Sequence, residues 1–400
     1  MRREQGRGAA WLVVLGGVAA AIHVGKLPPA LPVLREALGL SLVQAGFLVS
    51  LVQLAGLLLG LAVGLAADTV GLKRTMVLGL LLVGAASVAG AFATSPGPLL
   101  VLRAVEGLGF LAAAMPAPGL IKRLVAPGRL SAMLGVWGAY MPFATAVALL
   151  CGPAWMAWAG WPAWWGLLGA FSLVLAACLA ATLPADPARA GAPGAHWQGR
   201  VMQTLRAPGP WLVALAFGVY SAQWLAVIGF LPSIYLASGV APATAAVATA
   251  LAAAVNMVGN LASGRLLQRR VPPQRLLAIG ALAMGLGGFV AFTNLLGPGA
   301  SAAAVRYAAV LVFSMVGGVI PGTLFSLAVR LAPGESTVST TVGWMQQWSA
   351  LGQFAGPPLV AWVATLAGGW QWSWIVTSTC AACGLVLAGW AGRLVQKADH

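Results

Sequence analysis

The sequence predicts an all-α membrane protein of twelve transmembrane helices arranged as two six-helix repeats. Three observations carry that expectation. The chain is 60% hydrophobic and only 7% charged, with a mean hydropathy of +0.92, whereas a soluble domain carries roughly 25% charged residues. Apolar runs recur along the whole chain, and a bilayer core of roughly 30 Å needs about 20 such residues per helix. Residues 11–100 also recur at 211–301.

The repeat can be followed residue by residue. Trp11-Leu12-Val13 and Leu15 match Trp211-Leu212-Val213 and Leu215, and Leu31-Pro32, Gly39 and Gly64 match Leu231-Pro232, Gly239 and Gly264. After one residue of slippage, Arg74, Gly79 and Gly84 match Arg275, Gly280 and Gly285. Parallel repeats of this size in a membrane enclose a substrate path between them, whereas solenoid repeats run at roughly 20–50 residues. The expected organisation is a half at 1–183, a flexible linker at 184–210 and a half at 211–400.

Taken in order, spans are expected near 10–32, 42–66, 75–95, 98–120, 131–153 and 162–183, then near 211–233, 244–264, 276–296, 302–330, 337–364 and 371–392. The first is too long, and too directly followed by others, for a cleaved signal peptide. It holds His23 and Lys26, three apart and so on one helix face. The fourth holds Arg103 and Glu106 at the same spacing. Spans five, seven and eight carry Tyr140, Tyr220, Gln223, Trp224 and Asn256. The tenth carries Arg306 near its outer end, and the eleventh Trp344, Gln346, Gln347 and Gln353. Fifty-two glycines let helix backbones approach where lipid supplies no hydrophobic drive. Pro116, Pro118, Pro321, Pro357 and Pro358 are expected to bend their helices.

A net charge of +15 could point to nucleic acid, but its distribution points elsewhere. With both termini cytoplasmic, 18 of the 22 Lys and Arg fall in cytoplasmic segments, which is the positive-inside bias of an inner-membrane protein. No basic groove with interleaved stacking aromatics marks a nucleic-acid partner. Most of the 17 Trp cluster at span ends as an interfacial belt. Cys151, Cys178, Cys380 and Cys383 all lie within spans, and the Cys380/Cys383 pair has no accompanying metal or redox motif. No Ser/His/Asp set, metal-ligand cluster or phosphate loop is present, so no enzymatic activity, metal or cofactor is expected.

The loop between spans two and three reads Gly64-Leu65-Ala66-Ala67-Asp68-Thr69-Val70-Gly71-Leu72-Lys73-Arg74. It resembles the G-x-L-a-D-r-x-G-r-k-r loop of the major facilitator superfamily. The resemblance implies the major facilitator fold, alternating access, and a cytoplasmic gate made by Gly64, Asp68, Gly71, Lys73 and Arg74. The second copy, Gly264-Arg265-Leu266-Leu267-Gln268-Arg269-Arg270, puts Gln268 where the acid would be, so the latch is expected to be asymmetric. Leu102-Arg103-Ala104-Val105-Glu106-Gly107-Leu108-Gly109 is similar to the family's R-x-x-q-G-x-G pattern. The helix-five Gly-Pro motif is reduced to Gly152-Pro153, which argues against drug/proton antiport. Met115-Pro116-Ala117-Pro118-Gly119-Leu120-Ile121-Lys122-Arg123, Gly135-Val136-Trp137 and Trp344-Met345-Gln346 resemble the cyanate-permease branch. This chain departs from that branch in span one, where His23 and Lys26 replace an expected Arg-Pro pair.

In that family spans one, four, seven and ten line the cavity. The expectation is therefore a small-molecule site formed by His23, Lys26, Arg103, Tyr140, Tyr220, Gln223, Arg306, Trp344 and Gln347. Three cations among these favour a small anion or organic acid. Glu106 or His23 would carry protons, the bilayer would be the other partner, and the protein is expected to act as a monomer. Two alternatives stand beside this reading. In the first, Arg103 and Glu106 are a structural pair, with Lys26 and Arg306 snorkelling outward. The cargo would then be a hydrophobic or weakly basic compound moved by efflux.

Overall fold

The computed structural model describes the backbone of residues 2–39, 42–186 and 197–398. Within these, the side chains of 2–7, 31, 32, 35, 42–47, 49, 50, 64–66, 68, 69, 197, 232, 233, 236, 237, 242, 361, 365, 397 and 398 lie outside the described residues. The first repeat contains α1 (Arg2–Gly25), α2 (Leu27–Leu38), α3 (Leu42–Val70), α4 (Leu72–Gly90), α5 (Pro96–Ala114), α6 (Ala117–Leu124), α7 (Pro127–Gly138) and α8 (Tyr140–Thr182). After α9 (Trp197–Arg206), the second contains α10 (Pro208–Ala237), α11 (Pro242–Ala254), α12 (Asn256–Gln268), α13 (Pro273–Phe292), α14 (Ala300–Gly317), α15 (Val319–Arg330), α16 (Val338–Leu366) and α17 (Ser373–Ala398). No strand occurs among the described residues.

These helices are twelve spans, several of them broken in mid-course. The pairs α1/α2, α5/α6, α7/α8 and α14/α15 separate after Gly25, Ala114, Gly138 and Gly317. Each break lies four residues before a proline, namely Pro29, Pro118, Pro142 and Pro321. A proline ring clashes with the carbonyl four residues back and removes one hydrogen bond, a penalty of about 3 kcal/mol or more in a continuous helix. Breaking at that residue relieves the clash. The α11/α12 break after Ala254 has no such proline, and its cause is not evident from the sequence. Inside α8, Gly160 takes φ +80° and turns the chain between spans five and six.

Apolar side chains face outward all round. Phe92, Val101, Trp158, Val174 and Val386 are among the large hydrophobics left exposed, as expected of a surface in contact with acyl chains. Nine runs of described residues are long and apolar enough to cross a membrane. The α16 helix is more polar, with Gln346, Gln347, Gln353 and a run of Ser and Thr. Its polar residues meet α3 and α10, while Leu351, Phe354, Leu359, Trp362 and Leu366 are exposed.

The segment at 184–210 is not a plain flexible tether. Residues 197–206 of it form α9, which packs against α3 and α16 and fully buries Thr204. Trp211 closes the end of that helix by donating its indole N–H to the Leu205 carbonyl at 2.8 Å.

Candidate functional site

A cavity of about 60 Å³ lies between the repeats, at the level of the helix breaks. It has room for a few waters, so a substrate requires the repeats to part. Its wall takes Gln53 from α3, Phe110 from α5, Tyr140 from α8, Tyr220 and Trp224 from α10, Asn256 from α12, Phe325 from α15, and Gln346 and Gln353 from α16. The described residues lining it include no Asp, Glu, Lys, Arg or His.

The polar groups of that wall are tied to one another. Gln53 Nε2 donates to Gln353 Oε1 at 2.9 Å, and Gln353 Nε2 donates to Ser349 Oγ at 3.1 Å. Ser349 and Ser221 share a bond of 2.7 Å. Asn256 Nδ2 donates to the Tyr220 hydroxyl at 3.0 Å and to the Ser314 carbonyl at 2.7 Å. An arc of rings runs beneath: Trp137 stacks on Tyr140 at 4.3 Å, Phe325 meets the edges of Trp137 and Phe217, and Phe217 lies parallel to Tyr220. Replacing Asn256 with Ala should leave the Tyr220 hydroxyl without its buried partner. A loss of about 1–3 kcal/mol is expected, read as a lower melting temperature in detergent.

A second constellation is buried wholly within the first repeat. Glu106 accepts from Lys26 Nζ and from Arg103 Nη1, each at 2.6 Å. Lys26 Nζ also donates to Ser87 Oγ at 2.8 Å, sits 3.2 Å from His23 Nδ1 and lies 4.3 Å from the Trp165 ring centroid. His23 Nε2 meets Ser172 Oγ at 2.8 Å. Arg103 donates to the backbone carbonyls of His23 and Leu48. Its Nη2 has no hydrogen-bond partner among the described residues. None of the four ionisable groups is more than 2% exposed. The break after Gly25 turns the chain where Lys26 enters this cluster.

The residues expected to share one site therefore occupy several places. His23, Lys26, Arg103 and Glu106 come together, but behind the cavity wall. Tyr140 and Tyr220 line the cavity. Gln223 is buried but is not among the lining residues, and its Oε1 is unpartnered among the described residues. Gln347 Oε1 accepts from the Leu61 backbone N–H at 3.0 Å, joining α3 to α16 nearer the basic face. Trp344 packs edge-on against Trp211. Arg306 lies at the opposite face, donating to the carbonyls of Thr293 at 3.3 Å and Gly297 at 3.0 Å. Arg306→Ala should thus leave cavity binding unchanged, and a weakened affinity in a binding assay would contradict that placement.

Of the loop expected to form the gate, Gly64 and Asp68 lie outside the described residues. The rest is held by an acid outside the expected gate set. Asp186 accepts from the backbone N–H groups of Lys73 and Arg74, each at 3.1 Å, and lies 3.6 Å from Arg123 Nη1. Lys73 Nζ caps the Leu183 carbonyl at 2.6 Å. Gly71, at φ +112°, lies flush against the Asp186 carboxylate, leaving no space for a Cβ. The signal for Asp186 is its position as the lone acid of the 184–210 segment, three residues after the last span of the first repeat. The basic face is closed between repeats. Gln268 Nε2 donates to the Gly128 carbonyl at 2.8 Å, and Lys122 pairs with Glu335 at 3.3 Å.

Broken spans around a central cavity, in a protein made of two repeats, define a membrane transporter. The chain belongs to the Major Facilitator Superfamily, whose family model matches residues 13–357. Among solved structures it is similar to the fucose transporter FucP in an outward conformation, with TM-score 0.74 and 16% identity, covering 96% of this chain and 98% of that one. It is also similar to the proton:xylose symporter XylE bound to 6-bromo-6-deoxy-D-glucose, with TM-score 0.79 and 14% identity, covering 96% and 95%. These likenesses show the fold. A puromycin resistance protein, pur8 of Streptomyces alboniger, is 37% identical over 145 residues, covering 35% of this chain. The match spans 27% of that relative's length.

Proposed function

We propose that this protein is a secondary transporter for an uncharged or weakly basic organic molecule with an aromatic face, moved by alternating access. One observation carries the reading. The cavity wall offers rings, amides and hydroxyls but no ionised side chain among the described residues. A small anion entering it would lose hydration without a facing cation, which is costly. A flat apolar molecule with a few hydrogen-bonding groups would instead find stacking surfaces and exchangeable amide partners. The local similarity to a puromycin resistance protein favours efflux of such compounds. The basic face is then cytoplasmic by the positive-inside rule, in an inner membrane, with the protein acting as a monomer.

In this reading the buried cluster is the coupling element. Glu106 is the carboxylate that exchanges protons, and Lys26, Arg103 and His23 set its surroundings. The anion reading keeps one supporting observation, the unpartnered Nη2 of Arg103 in a cluster with two cations and one carboxylate. The resemblance to the cyanate-permease branch rests on the short sequence patches alone. Flux in proteoliposomes decides between cargoes. Puromycin or another aromatic weak base should move toward the acidic side of an imposed proton gradient faster than in protein-free liposomes, in exchange for protons, and movement of formate or cyanate but not of the base would overturn the proposal.

A further inference from the structure

The seam between α3 and α16 joins the two repeats, and its chemistry changes along its length. Toward the basic face it is glycine packed on the opposing helix. A Cβ at Gly60 would lie 3.0 Å from the Gln347 Cα, and one at Gly56 would lie 2.8 Å from the Ala350 Cβ. One turn further from that face, Gln53 Nε2 donates to Gln353 Oε1 at 2.9 Å. Both side chains line the central cavity. The other hydrogen bonds described in that wall lie within the second repeat, so this amide pair is where the wall is stitched across.

At about 60 Å³ the cavity is too small for an organic cargo, so this rung must open to admit one. Opening leaves an N–H donor on Gln53 and a carbonyl acceptor on Gln353, facing each other from opposite sides. Gln353 is held in place, because its Nε2 donates to Ser349 Oγ at 3.1 Å and Ser349 shares a 2.7 Å bond with Ser221. A buried donor or acceptor without a partner is costly. The group that replaces the lost bond must therefore accept on one side and donate on the other. A trans secondary amide does this, since its carbonyl and N–H point in opposite directions. It would extend the chain of bonds from Gln53 through the ligand to Gln353, Ser349 and Ser221. Turning both glutamine amides over reverses the polarity and leaves the required complement the same. Rings stand beside the chain: Phe217 and Trp224, four residues before and three after Ser221, share its face of α10 and line the cavity.

We propose that the cargo is an aromatic compound carrying a secondary amide, and that Gln53 and Gln353 read this amide by taking it between the repeats. The proposal rests on the reading of the cavity as a site for aromatic, uncharged or weakly basic molecules. It adds two residues that set specificity, one from each repeat. A site that hydrogen-bonds an N–H discriminates strongly against an analogue lacking it, because its own acceptor is then left unpaired. The glycine contacts nearer the basic face are unaffected when the rung opens, so the amide can enter from the opposite side while that face stays shut.

Procainamide and procaine test it. Both are aromatic weak bases with the same tertiary amine, and they differ at a single linkage, a secondary amide in the first and an ester in the second. Their dissociation constants for the full-length protein in detergent follow from the concentration dependence of its melting temperature. Procainamide should bind about 5- to 10-fold tighter, because the ester presents no donor to Gln353. In Gln53→Met and in Gln353→Met, which keep the side-chain length and lose the amide, the preference should fall below about 2-fold. If neither variant folds, the comparison on the parent protein decides alone. Equal affinities in the parent, or a preference retained in a folded variant, would overturn the proposal and leave the broader reading standing, since both compounds still bind. Failure of procainamide to bind would also overturn it, and binding of formate or cyanate in its place would remove the broader reading as well.

Discussion

Glu106→Gln is expected to destabilise the protein by about 3–5 kcal/mol, the loss that follows when one partner of a buried ion pair is removed. Its carboxylate bonds Lys26 and Arg103 at 2.6 Å each, and neither cation has access to solvent. Without it, two buried positive charges face one another uncompensated. Lys26→Met should behave differently, because it leaves the Glu106–Arg103 pair intact and removes the excess charge. Breaking one member and removing its neighbour should not add, since residues in a shared network couple. The double variant Glu106→Gln/Lys26→Met should therefore melt higher than Glu106→Gln alone. Equal melting temperatures for the two single variants would show that the cluster is not organised around Glu106. If Glu106 also carries the coupled proton, Lys26→Met should keep gradient-driven flux, and Glu106→Gln should keep substrate exchange but lose accumulation.

Gly135→Val is expected to shift the protein away from the state closed at the basic face. A Cβ at Gly135 would lie 2.7 Å from the Asn260 carbonyl oxygen and 3.0 Å from the Gly264 Cα. One at Gly264 would lie 2.6 Å from the Ser131 carbonyl oxygen. These are backbone atoms of the opposing repeat, so no rotamer change can make room. Overpacking costs about 1–3 kcal/mol, and a bias of that size changes a two-state ratio by roughly 5- to 150-fold. The clash is between repeats, so each repeat's own packing is spared. A cysteine replacing Ala350 on the cavity wall should then react faster with an impermeant maleimide applied from the basic face. Unchanged labelling would show that α7 and α12 do not form the closure.

Much of the architecture could be read from residues alone. The matched Gly39 and Gly239 both adopt positive φ, at 63° and 79°, so the repeat extends to individual turns. The helix breaks follow prolines visible in the sequence, although only Pro118 and Pro321 of the four were among those singled out. The ionic cluster was also foreshadowed, since all four of its charged residues stood out as charges inside spans. Their surroundings were not. A charge in a span indicates only that the side chain avoids lipid. It does not distinguish a water-filled cavity from a sealed helix–helix interior, and Lys26 and Arg103 chose the interior. Ser87, Ser172 and Trp165, which complete that environment, come from α4 and the far end of α8 and carry no local signal. Gln53 and Phe325 likewise became cavity residues only through packing between repeats.

The measurement that tests the central claim most directly is melting temperature across a ligand panel. It compares aromatic weak bases, neutral sugars and small anions on the parent protein, Asn256→Ala and Lys26→Met. A ligand that binds the folded state alone must stabilise it. The neutral, ring-lined cavity predicts the largest shift from the aromatic compounds, reduced in Asn256→Ala and unaffected by Lys26→Met. Stabilisation by small anions alone, lost in Lys26→Met, would contradict it and place the substrate at the buried cations.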